Sequence, residues 1–223
     1  MTKIDFDQYA GQYQALLSAQ THFFDNDSDY FARYKIERAK QLVGNVNSAL
    51  DFGCGIGRSM PALRAAFPDA DIVGCDPSTD SLAIARRENP QCRFFTMEEL
   101  TAEPRFDLVL ASCVFHHIAP AERREALRYC FSCLKPGGRF VIFEHNPFNP
   151  VTRHLVNTCP FDADAILLTM RETIDRMSEA QFTITHTGYC LFFPGALSVL
   201  RPLENVMGWL PLGGQYFVCG ART

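Results

Sequence analysis

One short stretch restricts the fold more than any other part of the sequence: an apolar segment, a glycine-rich turn and the start of a helix. Gly53, Gly55 and Gly57 follow directly after the apolar segment 48–52. Glycine takes positive φ values without steric cost and lets a flat ligand approach the backbone. Amides at the start of the following helix then face that ligand. The stretch therefore predicts a ligand-binding turn between a buried strand and a helix.

Two residues beside the glycines argue against a dinucleotide ligand. Arg58 stands where the dinucleotide-binding fingerprint G-x-G-x-x-G places its third glycine. Asp51, just before the first glycine, would repel a diphosphate and attract an ammonium group, directly or through water. NAD and FAD are therefore disfavoured, and a nucleotide-dependent oxidoreductase is the less favoured alternative function.

With these residues, the sequence resembles the class I S-adenosylmethionine (SAM)-dependent methyltransferases. Their first motif, an acidic residue followed by G-x-G-x-G after the first strand, is matched by Asp51 to Gly57. Their second strand ends on another acidic residue, and Asp76 stands at that place. The turn Leu134 to Gly138 before the predicted strand 139–143 is a further shared block. The resemblance is close over residues 45–145 and loose elsewhere.

The resemblance implies a Rossmann-like three-layer α/β sandwich with N-terminal helices. Its seven-stranded sheet would be mostly parallel with an antiparallel last strand. A length of 223 residues with 47% hydrophobic content suits one such domain. We expect a single methyltransferase domain over 1–223, with a helical cap at 1–44, a cofactor-binding core at 45–145 and an acceptor side at 146–223. Strands are predicted over 48–52, 71–75, 93–95, 106–112, 139–143, 182–193 and 214–222.

SAM is the cofactor that the resemblance implies, and its contacts carry over residue by residue. Asp76 would bind the ribose hydroxyls, and His117 would face the methionine moiety while His116 packs or meets solvent. Thr96, Met97 and Glu98 stand near the adenine position but depart from the family's acid and small residue there. A capping role is the alternative for Glu98. The implied cofactor-binding set is Tyr13, Asp51, Gly53, Cys54, Gly55, Gly57, Asp76, Pro77, Thr96, Met97, Glu98, Ser112 and His117.

Tyr13 enters this set only through the resemblance, since N-terminal helices of the family often fold over the cofactor. Phe6, Tyr9, Tyr13 and Leu16 recur at helical spacing. A half-buried packing tyrosine is an equally good interpretation of Tyr13. A second helix is predicted from 29 to 43, with its basic residues mostly facing solvent.

Acceptor specificity is expected after the fifth strand, where a segment rich in prolines and asparagines predicts a fixed loop over 144–154. His145 is the candidate general base because a histidine has an unperturbed pKa of about 6.5. Glu144 would orient His145 or bind the acceptor. Alternatively, either side chain ties down the Asn146 turn, and His117 or His154 is the base. The predicted reaction is in-line methyl transfer to a small molecule, with a non-catalytic cofactor-binding or scaffolding module as the alternative.

Charge and cysteine content narrow the partners and the compartment. A net charge of -4 and the lack of a Lys/Arg block disfavour nucleic acid. The nine cysteines are scattered and often lie in apolar runs, which indicates buried thiols in a reducing compartment. Cys130-x-x-Cys133 has no second Cys/His pair nearby, so no metal is assigned. No apolar run reaches the roughly 18 residues that span a bilayer. We expect a cytoplasmic protein without membrane insertion.

The segment 194–212 is unusually apolar for a connection between strands. A core lid or a homodimer contact is favoured for it over contact with a membrane surface, because a basic face is missing.

Overall fold

Seven strands form one sheet in the computed structural model, which describes residues 29–103 and 105–223 without the side chain of Phe161. The strands are β1 (Ser48–Phe52), β2 (Asp71–Cys75), β3 (Arg93–Phe95), β4 (Phe106–Ser112), β5 (Leu134–His145), β6 (Thr183–Cys190) and β7 (Gln215–Ala221). Their order across the sheet is β3-β2-β1-β4-β5-β7-β6. β7 runs antiparallel to β5 and β6, and the pairs among the first five strands are parallel. The predicted Rossmann-like sheet is confirmed.

Helices cover both faces of this sheet and complete the three layers. The α-helices are α1 (Tyr30–Val43), α2 (Met60–Ala66), α3 (Thr79–Glu88), α4 (Arg123–Cys133), α5 (Pro150–Thr158), α6 (Met170–Glu179) and the short α7 (Glu204–Met207). Buried residues of α1, α2 and α3 pack in one core cluster on the sheet, and those of α4 and α6 pack in another. The strands between the two clusters are buried on both faces, as their continuous apolar runs require.

The fifth strand and the segment after it differ from their predicted bounds. β5 begins at Leu134 and contains an irregularity at the glycine turn, where Gly137 has φ of 80°, the register with β4 shifts, and the Gly137 amide donates to the Arg222 carbonyl at 2.7 Å. The expected fixed loop over 144–154 is wrong in its second half, where α5 begins at Pro150. Asn149 caps α5 by accepting from two amides at 3.0 Å, and proline suits a first helical turn.

One basic side chain of α1 does not face solvent as expected. Lys35 is only 7% exposed, and its ammonium group points into the molecule from the middle of the helix. The predicted apolar face is otherwise confirmed, since Ile36 is buried and Tyr30, Tyr34, Leu42 and Val43 pack half-buried against the core. The predicted helix that contains Tyr13 lies outside the described residues.

The connection between β6 and β7 lies on the surface. It forms a 3₁₀ helix at Gly195–Leu203 and then α7. Its large apolar side chains are exposed and join neither core cluster; they are Leu197, Val199, Leu200, Leu203, Val206, Trp209 and Leu212. A dimer contact through them stays a prediction. Among the described helices, none is both long and apolar enough to cross a bilayer.

A buried carboxylate ties this connection to α1. Glu204 is 3% exposed and accepts hydrogen bonds from three consecutive amides, Leu191 at 3.2 Å, Phe192 at 3.0 Å and Phe193 at 3.1 Å. It also accepts from the Tyr34 hydroxyl at 2.8 Å. Hydrogen bonds to a charged group are the stronger ones, so α1 is held against the end of β6.

Candidate functional site

A cavity of about 350 Å³ opens where the carboxyl ends of β1, β4 and β5 meet. This edge is the usual ligand crevice of an open parallel sheet. The glycine turn after β1 and Ser112 at the end of β4 form its floor, and His145 at the end of β5 faces it. Gln215 reaches the same edge because β7 runs antiparallel and begins there. Lys35 closes the cavity from α1.

The three glycines of the turn have positive φ, but each meets different surroundings. A Cβ on Gly53 would lie 2.6 Å from a methyl group of Val114. A Cβ on Gly55 would meet nothing, so this glycine leaves the backbone open toward the cavity that it lines. Gly57 instead packs against Asn89, which donates to its carbonyl at 3.3 Å. Only the first two glycines line the cavity.

Asp51 places an unpartnered carboxylate oxygen at the cavity. The residue is 2% exposed, and its Oδ2 is buried without a hydrogen-bond partner. Burial raises its pKa to about 7, and the nearby Asp76 adds to the effect against the lowering influence of Ser59 and Lys35. A cationic group in the cavity would give this oxygen the partner that a buried acceptor needs.

Asp76 supports the glycine turn rather than the cavity wall. Its Oδ2 accepts from the Gly55 amide at 2.8 Å, and its Oδ1 accepts from the Ser78 amide at 2.9 Å. The residue is buried and is not among those that line the cavity. Asp76, which follows β2, therefore fixes the conformation of the turn, and its carboxylate lies near that of Asp51.

A thiol with three polar neighbours lies at the end of β4. Lys35 Nζ and Gln215 Nε2 each lie 3.3 Å from Cys113 Sγ, and His145 is also hydrogen-bonded to it. Burial acts to raise the pKa of this thiol, but Lys35 and His145 outweigh it and lower the pKa to about 6. Cys113 has φ of 59°. Its sulfur carries much thiolate character at neutral pH.

Glu144 lies behind the cavity wall and holds the loop that follows β4. It is fully buried, and its Oε1 accepts from the amides of Val114 at 2.9 Å and Phe115 at 2.7 Å. Its Oε2 lies 2.6 Å from His116 Nδ1. Although burial opposes ionisation, these partners keep the pKa of Glu144 well below its usual range. The carboxylate thus orients His116, whereas the prediction had it orienting His145 or binding the acceptor.

His116, His117 and Asp162 meet on the acceptor side of the cavity. Both histidine rings line it, with centroids 4.1 Å apart, so His116 packs in the interior as expected but also faces the site together with His117. Burial lowers the pKa of His117, whereas Glu144 and Asp162 outweigh burial and raise the pKa of His116 to about 10. The ring of His145 contacts that of His116, with centroids 4.9 Å apart and planes tilted by 53°. The cavity therefore has three imidazoles along one wall.

The predicted adenine contacts lie away from this cavity. Thr96 and Glu99 cap each other, since the Thr96 hydroxyl accepts from the Glu99 amide at 3.3 Å and the Glu99 carboxylate accepts from the Thr96 amide at 2.8 Å. Pro77 and Glu98 are exposed and Met97 is half-buried. The cavity brings together Asp51, Gly53, Cys54, Gly55, Ser112, His117 and His145 of the predicted residues. Tyr13 lies outside the described residues.

Lys35, Cys113, Asp162 and Gln215 are among the cavity residues that were not predicted. Cys113 and Gln215 had a usable signal, because each stands at the ligand edge of a predicted strand. No sequence signal marked Lys35, because a basic residue between apolar residues of a helix does not by itself indicate a binding site. Asp162 reaches the site only through a loop whose path depends on tertiary contacts.

Comparison with known sequences gives one consistent class. A family profile described as a methyltransferase domain matches residues 50–140. Trans-aconitate 2-methyltransferase from Methylobacterium nodulans is 30% identical over 183 residues, which are 74% of this chain and 69% of that protein. The enzyme of that name from Variovorax paradoxus is 33% identical over 123 residues, which are 50% and 47%. The chain thus matches about half the length of that relative.

Solved structures share the fold over nearly the whole chain. A SAM-dependent methyltransferase from Thermotoga maritima superposes with a TM-score of 0.70 over 98% of each chain, at 19% sequence identity. This likeness shows the architecture of the sheet and its helices.

Proposed function

Because the chain belongs to the class I SAM-dependent methyltransferases, the enzymes that take their methyl group from SAM, we propose that it methylates an oxygen atom of a small molecule. The observation that carries this proposal is the position of His145. Its ring faces the cavity at the end of β5, beside the glycine turn that begins the cofactor motif. A base in that place suits an acceptor that must lose a proton.

The residues present fit the cofactor of the family. Asp51 offers a buried carboxylate oxygen that lacks a partner, and the ammonium group of SAM is a suitable cation for it. Gly55 leaves the backbone open at the same wall, so its surroundings admit a flat ligand. We propose that Asp51 binds the ammonium group and that Asp76, which already holds the turn, accepts from the ribose hydroxyls. These two roles are the ones that the family's first and second acidic motifs imply for Asp51 and Asp76.

When bound, the cofactor supplies a methyl group on a positively charged sulfur. This chain's own residues would then hold the acceptor, exclude water and remove a proton. His145 would accept the proton through an imidazole nitrogen. Holding the reacting groups in line provides up to about 7–11 kcal/mol of the barrier reduction without covalent work by the protein. Residues 146–223 would form the acceptor side of a single domain, since Thr152, Asp162 and Gln215 line that wall.

The size and the charge of the cavity support a small acceptor. About 350 Å³ lies within the range of small-molecule sites. Lys35 and His116 place positive charge beside it, which favours an acceptor that carries a carboxylate in addition to the hydroxyl group to be methylated. The relatives named trans-aconitate 2-methyltransferase are named after a small organic acid.

A metabolite screen tests the proposal directly. The protein would be incubated with SAM carrying a labelled methyl group and with separated pools of small molecules, protein, RNA and DNA. We expect label in the small-molecule pool alone, in acids or hydroxyl compounds. Label in a macromolecule would refute the acceptor class, and cofactor binding without transfer to any pool would favour the non-catalytic module.

Replacing His145 with alanine tests the base. We expect a decrease in the turnover rate of about 10²- to 10⁴-fold with unchanged cofactor affinity, the usual range for a lost general base. His154→Ala is the matched control, because His154 is exposed on α5 and does not line the cavity. A folded His145→Ala protein with near wild-type turnover across pH would eliminate His145 as the base.

The oxidoreductase alternative is tested by binding alone. Arg58 lines the cavity where a dinucleotide site needs a close glycine contact. We expect calorimetry to show binding of SAM and of its demethylated product but not of NADH. The reverse result would reverse the assignment.

A further inference from the structure

Three potential metal-ligand atoms converge on the acceptor side of the cavity. Asp162 Oδ1 lies 3.6 Å from His116 Nε2 and 3.3 Å from His117 Nε2. Each of the three residues offers a ligand atom within 4.8 Å of the other two. Two of them come from the loop after β4, and the third comes from the 3₁₀ turn Pro160–Asp162.

These distances suit a single small cation. Zinc binds imidazole nitrogen and carboxylate oxygen at about 2.0–2.2 Å, so two such donors around a tetrahedral ion lie about 3.3–3.6 Å apart. Both measured separations fall in that range. A set of two imidazoles and one carboxylate favours a divalent transition metal over Mg²⁺ or Ca²⁺, which prefer oxygen ligands.

The residue behind His116 adds an independent observation. Glu144 Oε2 lies 2.6 Å from His116 Nδ1, and Glu144 is fully buried. A carboxylate that accepts from one imidazole nitrogen is the usual outer partner of a metal-binding histidine, because it fixes the ring and leaves the other nitrogen for the ion. Here the other nitrogen, Nε2, is the one that points to Asp162.

The two chain segments that carry the donors are fastened to each other. The Ile166 amide donates to the His116 carbonyl at 2.9 Å. Arg123, which is 1% exposed, donates to the carbonyls of Phe115 at 3.1 Å and Ile166 at 2.5 Å. The arrangement of donors is therefore built into the fold rather than dependent on an exposed loop.

We propose that His116, His117 and Asp162 bind Zn²⁺ or a similar divalent transition metal. All three residues line the cavity, so an ion held by them would turn its fourth position toward the cavity. Catalytic zinc sites have this pattern of three protein ligands and one open position. The open position would take the oxygen atom of the methyl acceptor, and this role, unlike the metal binding itself, rests on the proposed function.

Metal binding is measured on the full chain without cofactor or acceptor. After removal of metals by dialysis against a chelator, the protein would be titrated with Zn²⁺ by calorimetry and with Co²⁺ by visible absorption. We expect one zinc ion per chain and the intense absorption of four-coordinate cobalt. His117→Ala and Asp162→Asn should each weaken zinc binding by more than about 100-fold, since even outer partners of metal ligands are worth 10- to 100-fold.

Asp164→Asn is the matched control. Asp164 lies in the same segment and carries the same charge, but its Oδ1 is 3.8 Å from Nδ1 of His117 rather than from the converging Nε2 atoms. At 3.8 Å it is too far for a hydrogen bond to the ring, so its loss should weaken zinc binding by no more than about tenfold, the lower end of the range for outer partners. Circular dichroism of each variant would confirm that it is folded.

Three outcomes would overturn the proposal. Zinc fails to bind in a stoichiometric amount, the variants bind as tightly as the wild type, or Asp164→Asn loses as much affinity as Asp162→Asn. A proton shared by His116 and its carboxylate neighbours would then explain the cluster. Failure of the methyl-transfer screen leaves the zinc result standing, whereas equal turnover with and without bound zinc overturns the acceptor role alone.

Discussion

Asp51 is expected to destabilise the free protein and to bind the cofactor, and these opposite effects can be measured in one variant. The side chain is 2% exposed, and its Oδ2 has no hydrogen-bond partner. Burial raises its pKa from 3.8 to about 7. Asp51→Asn keeps the shape of the side chain and removes its charge. The variant should therefore be more stable and should bind SAM more weakly.

The raised pKa sets the size of the stability effect. A tenfold change in an ionisation constant corresponds to about 1.4 kcal/mol, so the ionised carboxylate costs the folded protein up to about 4 kcal/mol. Because the folded pKa lies above the unfolded one, this cost is absent below pH 3.8 and grows until the pH passes about 7. We expect Asp51→Asn to raise the free energy of unfolding by about 2–4 kcal/mol at about pH 8 and by less at about pH 5.

Urea unfolding at several pH values gives the stability, and calorimetry gives the affinity. The loss of a charged hydrogen-bond partner should weaken SAM binding by about 1.5–3 kcal/mol, or roughly 10- to 150-fold in Kd. Binding of SAM to the wild type should also weaken as the pH falls below about 7, because protonated Asp51 no longer attracts an ammonium group. Equal stability of the two proteins at about pH 8 would refute the buried charge. Equal affinity would refute the ammonium contact.

Two further predictions concern the glycine turn and the thiol beside it. Gly53→Ala should lower the free energy of unfolding by about 2–4 kcal/mol, because its Cβ meets Val114 and its φ is positive, whereas Gly55→Ala should cost about 1 kcal/mol, because its space is open. Urea unfolding separates the two, and equal losses would contradict the steric account. Cys113 should react with iodoacetamide at a rate that is half-maximal near pH 6 and constant above about pH 7, because the thiolate is the reactive form. Peptide mapping with Cys113→Ser as control follows the reaction, and a midpoint near pH 8.5 would show that Lys35 does not stabilise the thiolate.

Most of the sheet could be predicted because its signals are local. The first four strands have the predicted bounds, since each is a short apolar run that ends at a glycine, a proline or a polar turn. β5 was predicted too short because the glycines at 137 and 138 indicate a turn; Gly137 does have positive φ, but strand pairing resumes on both sides of it. The start of α5 was missed although Asn149 before a proline is a common helix beginning.

The site could be predicted only where the chain order of strands brings residues to one edge. Asp51 and His145 lie at the carboxyl ends of β1 and β5. Because these strands are parallel, both residues come to the same edge of the sheet, where the cavity opens. Lys35 and Asp162 reach it through tertiary packing that no periodicity encodes. Helical spacing cannot say which basic residue of α1 turns inward, because a long lysine side chain can extend past apolar neighbours.

The carboxylate of Glu204 determines how the wall that carries Lys35 can move. One buried anion joins three successive amides after β6 to the hydroxyl of Tyr34, the residue that precedes Lys35. Swinging α1 outward would break the hydrogen bond from the Tyr34 hydroxyl to this buried carboxylate while the three amides keep theirs, at a cost of about 1.5–3 kcal/mol. The backbone amides of 191–193 should therefore exchange their hydrogens together, and slowly, as one cooperative unit with this helix. Outward movement of α1, and with it of Lys35 on the cavity wall, is therefore opposed by the carboxylate of Glu204.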